Sequence, residues 1–150
     1  MTIEKIKRML DACYQAKRIR DMLPPLPEGV TPSYLHYLDV MENRERQGLP
    51  VKVSDISDTL HLPRPGVTRT VKEMEVKGYL QKQASPEDGR VTYLTITGAG
   101  RALSARYNTK YFRALVPYLG AISDQDADTM IRTIETFYQV MCERREHLGD

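Results

Sequence analysis

The sequence predicts a mainly α-helical fold with one small β-hairpin. Apolar residues recur every three or four positions along much of the 150-residue chain, which is typical of amphipathic helices. Breaks rich in proline, glycine and polar residues separate these segments. In one stretch, two runs rich in β-branched and aromatic residues flank a polar turn, which is typical of a hairpin. The length fits a single domain.

The N-terminal segment predicts a first helix with one apolar stripe. The stripe consists of Ile3, Ile6, Leu10, Cys13, Ala16, Ile19 and Leu23. It ends at the stiff segment 24–29, where prolines remove backbone donors and fix φ.

Three shorter helical segments are predicted next. Thr31 caps the first of them, and the charged segment 42–48 closes it as a loop. Ser54 caps the second, and a break at residues 62–65 separates it from a third, which ends at Gly78 in the left-handed position that glycine favours. Two short helices joined by a tight turn are a helix-turn-helix candidate.

A hairpin follows this candidate. Segments 79–83 and 91–96 are strand-like, and the intervening 84–90 contains the Ser, Pro, Asp and Gly that favour turns. A helix-turn-helix followed by a β-hairpin wing predicts a winged helix-turn-helix domain. Beyond it, Thr97 caps a long helix that is bent or interrupted near Pro117, and a last amphipathic helix starts with Ser123.

The second helix of the helix-turn-helix carries the candidate nucleic-acid contacts. At about 100° per residue, Val67, Val71 and Met74 lie on one side, and polar and basic residues lie on the other. The N-terminal residues of a recognition helix reach base edges in the major groove. The alternative is an ordinary amphipathic helix with a solvated basic face. The candidate contacts are Arg64, Thr68 and Arg69 for bases and Lys72 for a phosphate, with Pro65 on the same side.

The tip of the wing adds a second candidate contact. Arg90 is placed to reach a narrow minor groove, and Asp88 is placed to orient it through a charged hydrogen bond. The alternative is that Asp88 and Gly89 are only favourable turn residues and that Arg90 is a solvated charge.

These motifs resemble the MarR family of winged helix-turn-helix regulators. The resemblance rests on residues 67–80, with their Glu-x-x-Gly-hydrophobic ending, on Asp88-Gly89-Arg90 in the wing, and on 94–100, which lead into a long helix. Ile96 stands where the family pattern has leucine. The match is densest over residues 53–103.

The resemblance implies a homodimeric transcriptional regulator, usually a repressor, that binds a pseudo-palindromic operator in double-stranded DNA. Segments 1–30 and 104–150 are then dimerisation helices that intertwine with those of a second chain, and 31–103 is the DNA-binding lobe. The apolar stripes of the terminal helices have no obvious intrachain partners, which supports a dimer. The alternative is that the two helices pack on each other within a monomer.

The sequence gives less indication of the signal that releases the protein from DNA. Members of this family often bind small aromatic or anionic molecules between the dimerisation helices and the lobe. Such a crevice has candidate lining residues in Tyr14, Tyr34, Tyr37, Tyr107 and Tyr111, although tyrosines at helical spacing are more often core residues. Some relatives sense oxidants through a cysteine in the first helix, which makes Cys13 a redox candidate. Its place on the apolar stripe favours a buried, inert thiol.

Composition and motifs exclude several other classes. The two cysteines and three histidines form no metal-binding pattern, and no nucleophile, phosphate-loop or zinc-protease motif is present, so we expect no metal, no cofactor and no catalysis. Without a membrane-spanning stretch, the protein is expected in the cytoplasm. The net charge of +2 divides into a basic middle and an acidic C-terminal end, which permits a polyanionic partner. The main rival is a winged-helix module that binds protein.

Overall fold

The computed structural model describes residues 1–144, and its backbone divides into two compact units. The first unit is Met1–Thr109 and the second begins at Lys110. Within the described residues, no helix combines the length and the apolar character needed to cross a membrane. The predicted C-terminal segment 104–150 includes residues 145–150, which lie outside the described part.

Among the residues described, the first unit contains five α-helices and one hairpin, and it ends within a π-helical segment. In chain order they are α1 (Ile3–Asp21), α2 (Pro32–Arg46), α3 (Val53–Leu60), α4 (Arg64–Val76), β1 (Leu80–Ala84), β2 (Thr92–Ile96), α5 (Gly98–Ser104) and the π segment (Ala105–Lys110). This order confirms the predicted mainly α fold with a winged helix-turn-helix.

Helix α2 is longer than predicted. Thr31 is its N-cap residue, as expected, but the helix continues through the charged segment and ends at Arg46. Two of these charges have partners in the lobe. The Arg44 guanidinium donates to the Pro50 carbonyl at 3.1 Å and pairs with Asp55 at 3.3 Å, and Glu45 pairs with Arg101 at 2.9 Å. Residues 42–46 therefore stay helical, with tertiary partners for their charges, although their composition predicted a loop.

Helix α3 starts earlier than predicted. The N-cap is Lys52, not Ser54, and the Asp55 carboxylate accepts the Lys52 backbone N–H at 2.7 Å. Serine is a more common N-cap residue than lysine, but here an acidic residue at the third helical position reaches back and accepts the N–H of the N-cap residue. The cap thus comes from inside the helix.

The turn between α3 and α4 is held by Ser57. This buried side chain donates to the Leu62 carbonyl at 2.6 Å, and the Leu62 N–H donates to the Ser57 carbonyl at 3.0 Å. His61 adopts the left-handed conformation at φ 52°, which reverses the chain within the turn. The break expected at residues 62–65 is therefore a real helix-turn-helix turn.

The wing is a two-stranded antiparallel hairpin. Leu80 pairs with Ile96 at its base and Ala84 pairs with Thr92 near its tip. The Leu94 N–H donates to the Val51 carbonyl at 2.8 Å, which ties the outer edge of β2 to the segment before α3. The hairpin is thereby anchored to the segment that leads into the helix-turn-helix.

The core of the first unit is formed by the lobe and by Val30, which directly precedes it. Its buried apolar residues come from α2, α3, α4, both strands and α5, and from Val30 and Val51 in loops. Helix α1 contributes no buried residue. The lobe therefore has a core of its own without α1.

The long helix predicted after the wing is divided. Thr97 caps α5 by accepting the Gly100 N–H at 3.1 Å, as expected. The helix then widens into the π segment, where Asn108 donates to the Leu35 carbonyl of α2 at 3.1 Å and to Ser104 at 3.3 Å. The helical pattern gave no sign of this widening, because the contact of Asn108 with α2 is a tertiary one.

The second unit contains helices that bury none of their residues among those described. It comprises α6 (Tyr111–Leu115), a 3-10 turn (Val116–Tyr118) and α7 (Asp124–Arg144). The interruption predicted near Pro117 is confirmed by the 3-10 turn. Ser123 accepts the Asp126 N–H at 3.1 Å, which confirms the predicted start of the last helix.

Candidate nucleic-acid interface

Helix α4 presents one face to the core and the opposite face to solvent. Val67, Val71 and Met74 are buried to 1% exposure or less, as the spacing predicted. All five residues proposed to contact nucleic acid on this helix are exposed: Arg64, Pro65, Thr68, Arg69 and Lys72. The structure thus leaves these side chains accessible, and their individual roles stay predictions.

The exposed face of α4 carries uncompensated positive charge. Arg64 lies 3.9 Å from Asp58 of α3, and both side chains are about two-thirds exposed or more, so this ion pair is weak. Within residues 1–144, Arg69 and Lys72 take part in no ion pair. These two cations are therefore available to an anionic partner without first breaking an internal contact.

The wing tip is organised by its own hydrogen bonds. Asp88 accepts the backbone N–H of Arg90 at 3.0 Å, and the Ser85 hydroxyl accepts the N–H groups of Glu87 and Asp88 at 3.2 and 3.3 Å. The expectation that Asp88 orients the Arg90 side chain is therefore corrected, because the carboxylate binds the Arg90 backbone. An Asp side chain commonly bonds the N–H two residues further on.

Ser85 also organises the tip, although the sequence patterns did not single it out. It is buried, and its own N–H donates to the Val91 carbonyl at 2.8 Å, so it joins both arms of the loop. The sequence does carry a signal for this role: a serine three residues before Asp88 has the spacing at which a side chain commonly hydrogen-bonds backbone N–H groups of the following turn. The result is a compact tip with Arg90 exposed at its end.

The wing and α4 are joined by contacts at the base of the hairpin. Gly78 has φ 78°, which turns the chain from α4 into β1, and Glu75 pairs with Lys82 at 3.0 Å. The Thr97 hydroxyl donates to the Gly78 carbonyl at 2.5 Å, so the end of β2 is tied to the same turn. Helix α4 and the wing are therefore fixed to each other.

Gly100 explains the last glycine of the sequence motif. A Cβ at this position would lie 2.1 Å from the Tyr79 carbonyl oxygen, a distance no real side chain tolerates. That oxygen also accepts the Thr97 N–H at 3.2 Å, which fixes its position. The glycine thus permits α5 to pack directly against the turn between α4 and the wing.

The tyrosines proposed for an effector crevice lie in different environments. Tyr34 and Tyr37 are buried in the core at 1% and 3% exposure, which agrees with the alternative that they are core residues. Tyr107 packs against the same core, and Tyr14 is exposed on α1. Tyr111 belongs to the second unit, where its ring meets Phe112 edge-on at 5.5 Å. The described residues of the first unit thus do not gather these rings around one opening.

The two cysteines are unpaired thiols among the described residues. Cys13 is half-buried on α1 rather than fully buried as expected. Cys142 is exposed on α7, where its thiol raises the pKa of the neighbouring Tyr138 phenol through a side-chain hydrogen bond. Over the described chain, no three His, Cys, Asp or Glu residues gather to hold a metal ion.

Comparison with known proteins shows where the chain has relatives. A family model described as MarR family matches residues 28–91, which run from the loop before α2 to the end of the wing loop. A transcriptional regulatory protein for the hcr operon of Thauera aromatica is 28% identical over 112 residues, 75% of this chain and 65% of that protein. The HTH-type transcriptional regulator YdgJ of Bacillus subtilis is 29% identical over 73 residues, 49% of this chain and 42% of that protein. The chain therefore spans less than two-thirds of either relative.

Solved structures share the fold over nearly the whole chain. Streptococcus pneumoniae FabT in complex with DNA has a TM-score of 0.67 at 20% identity, covering 95% of this chain and 99% of that one. The PcaV transcriptional regulator of Streptomyces coelicolor, with its natural ligand, has a TM-score of 0.62 at 17% identity, covering 89% of each chain. At these identities the likeness establishes the fold.

The matched segment contains the helix-turn-helix, Gly78 and Asp88-Gly89-Arg90, which are the features that carry the geometry described above. The family that it matches consists of transcriptional regulators rather than enzymes. Residues 28–91 of this chain are thus similar to the MarR family.

Proposed function

We propose that this protein is a sequence-specific, double-stranded DNA-binding regulator that acts as a homodimer. The observation that carries the proposal is the exposed cationic face of α4, fixed to a wing that ends in an exposed arginine. Each element exposes at least one cationic side chain, and the Gly78 turn with the Glu75–Lys82 ion pair joins them. Such a protein acts in the cytoplasm, where it meets DNA.

Helix α4 and the wing match two features of the duplex. An α-helix fits the major groove, where Arg64, Thr68 and Arg69 in the N-terminal half of α4 reach base edges and Lys72 reaches a phosphate. The wing then follows the backbone and Arg90 enters the adjacent minor groove, whose negative potential attracts a guanidinium. Asp88 supports this contact by holding the Arg90 backbone.

Dimerisation is supported by the terminal helices. Apolar side chains of α1 and α7 such as Ile3, Leu10, Met130 and Ile134 are 41% to 76% exposed. Isolated helices with open apolar stripes are stabilised by packing against another surface, and a second copy supplies a self-complementary one. A two-fold axis then presents two recognition helices about 34 Å apart, which favours a pseudo-palindromic operator.

We also propose that the outcome is repression and that a small aromatic or anionic molecule releases the protein from DNA. The support is that structural neighbours are bound to DNA in one case and to a natural ligand in the other. The partly buried Tyr107 and the exposed Tyr14 are the remaining candidates for an aromatic contact in the first unit, and Tyr111 in the second. A ligand lowers the affinity for DNA only to the extent that it binds the DNA-free form more tightly than the DNA-bound form.

Selection of bound duplexes from a random pool tests the central proposal. We expect a symmetric consensus, with binding that falls by roughly 10³ to 10⁵ between 50 and 200 mM salt if about 6–10 phosphates are neutralised. Arg69→Ala is expected to cost about 1–3 kcal/mol and to relax base preference, whereas Lys72→Ala weakens all sequences alike. Absence of duplex binding at low salt, with capture of a protein partner by the same surface, would favour the protein-binding module instead.

The release step is tested on the selected operator. A panel of aromatic carboxylates and phenols is titrated into the preformed complex, and dissociation of the complex is followed by fluorescence anisotropy. An active compound is expected to raise the thermal midpoint of the protein without DNA, because a ligand of the free form stabilises that form. A panel that neither dissociates the complex nor shifts the midpoint would contradict a releasing effector of this chemistry.

A further inference from the structure

The C-terminal end of α4 carries another cation, whose contacts differ from those of Arg69 and Lys72. Lys77, the C-cap residue of α4, directs its ammonium to the loop before α2, where Nζ donates to the Gly29 carbonyl. The same Nζ lies 5.3 Å from the centroid of the Tyr34 ring, in the range of a cation–π contact. This ammonium, on an exposed residue, is therefore engaged by contacts within the chain.

Tyr34 connects this contact to the preceding turn of α4. Its ring is 1% exposed, and its hydroxyl donates to Glu73 at 3.4 Å. Glu73 and Lys77 are four residues apart, so they lie on one side of the helix and both contact the same tyrosine. The ring also meets Tyr79 edge-on at 6.1 Å, at the start of the wing.

Gly29 completes the arrangement. Its φ of 72° is the left-handed conformation in which its carbonyl accepts from Lys77, and a Cβ there would lie 2.7 Å from the Lys77 Nζ. Side chains other than glycine are strained at this φ. The loop thus offers the lysine a carbonyl and leaves room for it.

We propose that Lys77 is a positioning residue that sets the orientation of α4 through Gly29 and Tyr34 and does not bind phosphate. Contacts at one end of a rigid helix constrain its tilt and rotation. The contacts of Lys77 therefore fix where Arg64, Thr68 and Arg69 meet the bases. Base readout depends on side-chain geometry, whereas attraction to phosphates depends chiefly on charge. This inference rests on the proposed DNA-binding function.

Salt dependence separates a positioning lysine from a phosphate-binding one. A protein that neutralises one phosphate fewer has a slope of log K against log salt that is smaller in magnitude by about 0.9, and a dimer with one fewer in each chain differs by about 1.8. The full-length wild type, Lys77→Met and Lys72→Met are titrated against the selected operator and a scrambled duplex over a range of salt. Methionine preserves the unbranched stem and removes the charge.

For Lys77→Met we expect the wild-type slope, with the ratio of operator to scrambled affinity lowered about tenfold from a starting ratio of roughly 10³ to 10⁷. For Lys72→Met we expect a slope of smaller magnitude and an unchanged ratio. Lys77→Arg is expected to restore the ratio, because a guanidinium also donates to a carbonyl and stacks on an aromatic ring. Tyr34→Phe, which keeps the ring and removes the bond to Glu73, provides a milder variant that lowers the ratio in the same direction.

Two results would overturn the inference. A slope of smaller magnitude in Lys77→Met would make Lys77 a phosphate-binding residue, and an unchanged ratio in both Lys77→Met and Tyr34→Phe would remove the positioning role. Thermal unfolding of each variant is measured alongside, and Tyr34→Phe decides the matter if Lys77→Met does not fold. Failure of the wild type to bind any duplex would instead overturn the proposed function.

Discussion

The winged-helix lobe and the terminal helices both carry apolar stripes, but only the lobe buries them. In the lobe, the apolar positions of α2, α3 and α4 meet one another and the hairpin, and residues such as Leu38, Met41 and Ile56 are completely buried. In α1 and α7 the stripes are equally regular, yet none of their described residues is buried. A helical period therefore identifies an apolar face but does not identify what covers it.

This difference predicts two kinds of contribution to the free energy of unfolding. Contacts within the lobe join residues of one chain, so their contribution to the free energy of unfolding does not depend on protein concentration. If α1 and α7 are covered by a second chain, their contribution grows with concentration by mass action. Substitutions in the lobe and in the terminal helices can test this division, from the largest expected effect to the smallest.

Gly100→Ala is expected to destabilise the lobe most. The added Cβ meets the Tyr79 carbonyl, which the Thr97 N–H holds in place, so the backbone must move. We expect a decrease of about 3 kcal/mol or more in the free energy of unfolding, followed by chemical denaturation at two protein concentrations. Gly98→Ala is the matched control, since a Cβ at Gly98 meets nothing within 4 Å. Equal stability of the two variants would contradict the close packing.

Ile134→Glu is expected to weaken the dimer while leaving the lobe folded. Ile134 is 41% exposed and lies within the apolar stripe of α7, so a partner that covers it would have to bury a charge. We expect dimer dissociation to become at least about 100-fold easier, or about 2.7 kcal/mol, measured by sedimentation equilibrium. Thr136→Glu places the same charge on the opposite side of α7 and should leave the dimer intact. A wild-type dissociation constant for Ile134→Glu would remove α7 from the interface.

Cys13→Ser is expected to have the smallest effect. Cys13 is half-buried on α1, and within the described residues it has no cysteine partner. We expect operator binding to change by less than about threefold, or about 0.6 kcal/mol, and hydrogen peroxide to act equally on both proteins. Selective release of the wild type by peroxide, with no release of Cys13→Ser, would instead establish the redox alternative.

Local chemistry made several parts of the molecule predictable. Thr31 and Thr97 occupy N-cap positions as predicted, although only the Thr97 side chain makes a capping hydrogen bond, and Gly78 adopts positive φ after α4. The alternation of Val67, Val71 and Met74 with polar residues located the buried side of α4. These features depend on backbone geometry within a few residues, which the sequence specifies directly.

Other features depended on tertiary or loop geometry and were missed for that reason. Asp55 rather than Ser54 satisfies the start of α3, and Asn108 contacts α2 from a π segment that the helical period did not indicate. The role of Asp88 was predicted for the wrong part of Arg90, because the choice between a backbone and a side-chain donor depends on the shape of the loop. The sequence pattern gives no sign that Lys77 contacts the loop before α2, because that contact is a tertiary one.

The sequence by itself determined the order of helices and strands, the buried side of α4 and the basic residues on its exposed side, because these follow from period, capping and turn chemistry. Only the tertiary structure decided which cations are engaged by other residues of the described chain. Lys72 and Lys77 are the same residue type on one helix, but Lys77 meets a carbonyl and a buried ring supplied by residues more than forty positions away. The environment of a charge is set by what the fold brings beside it.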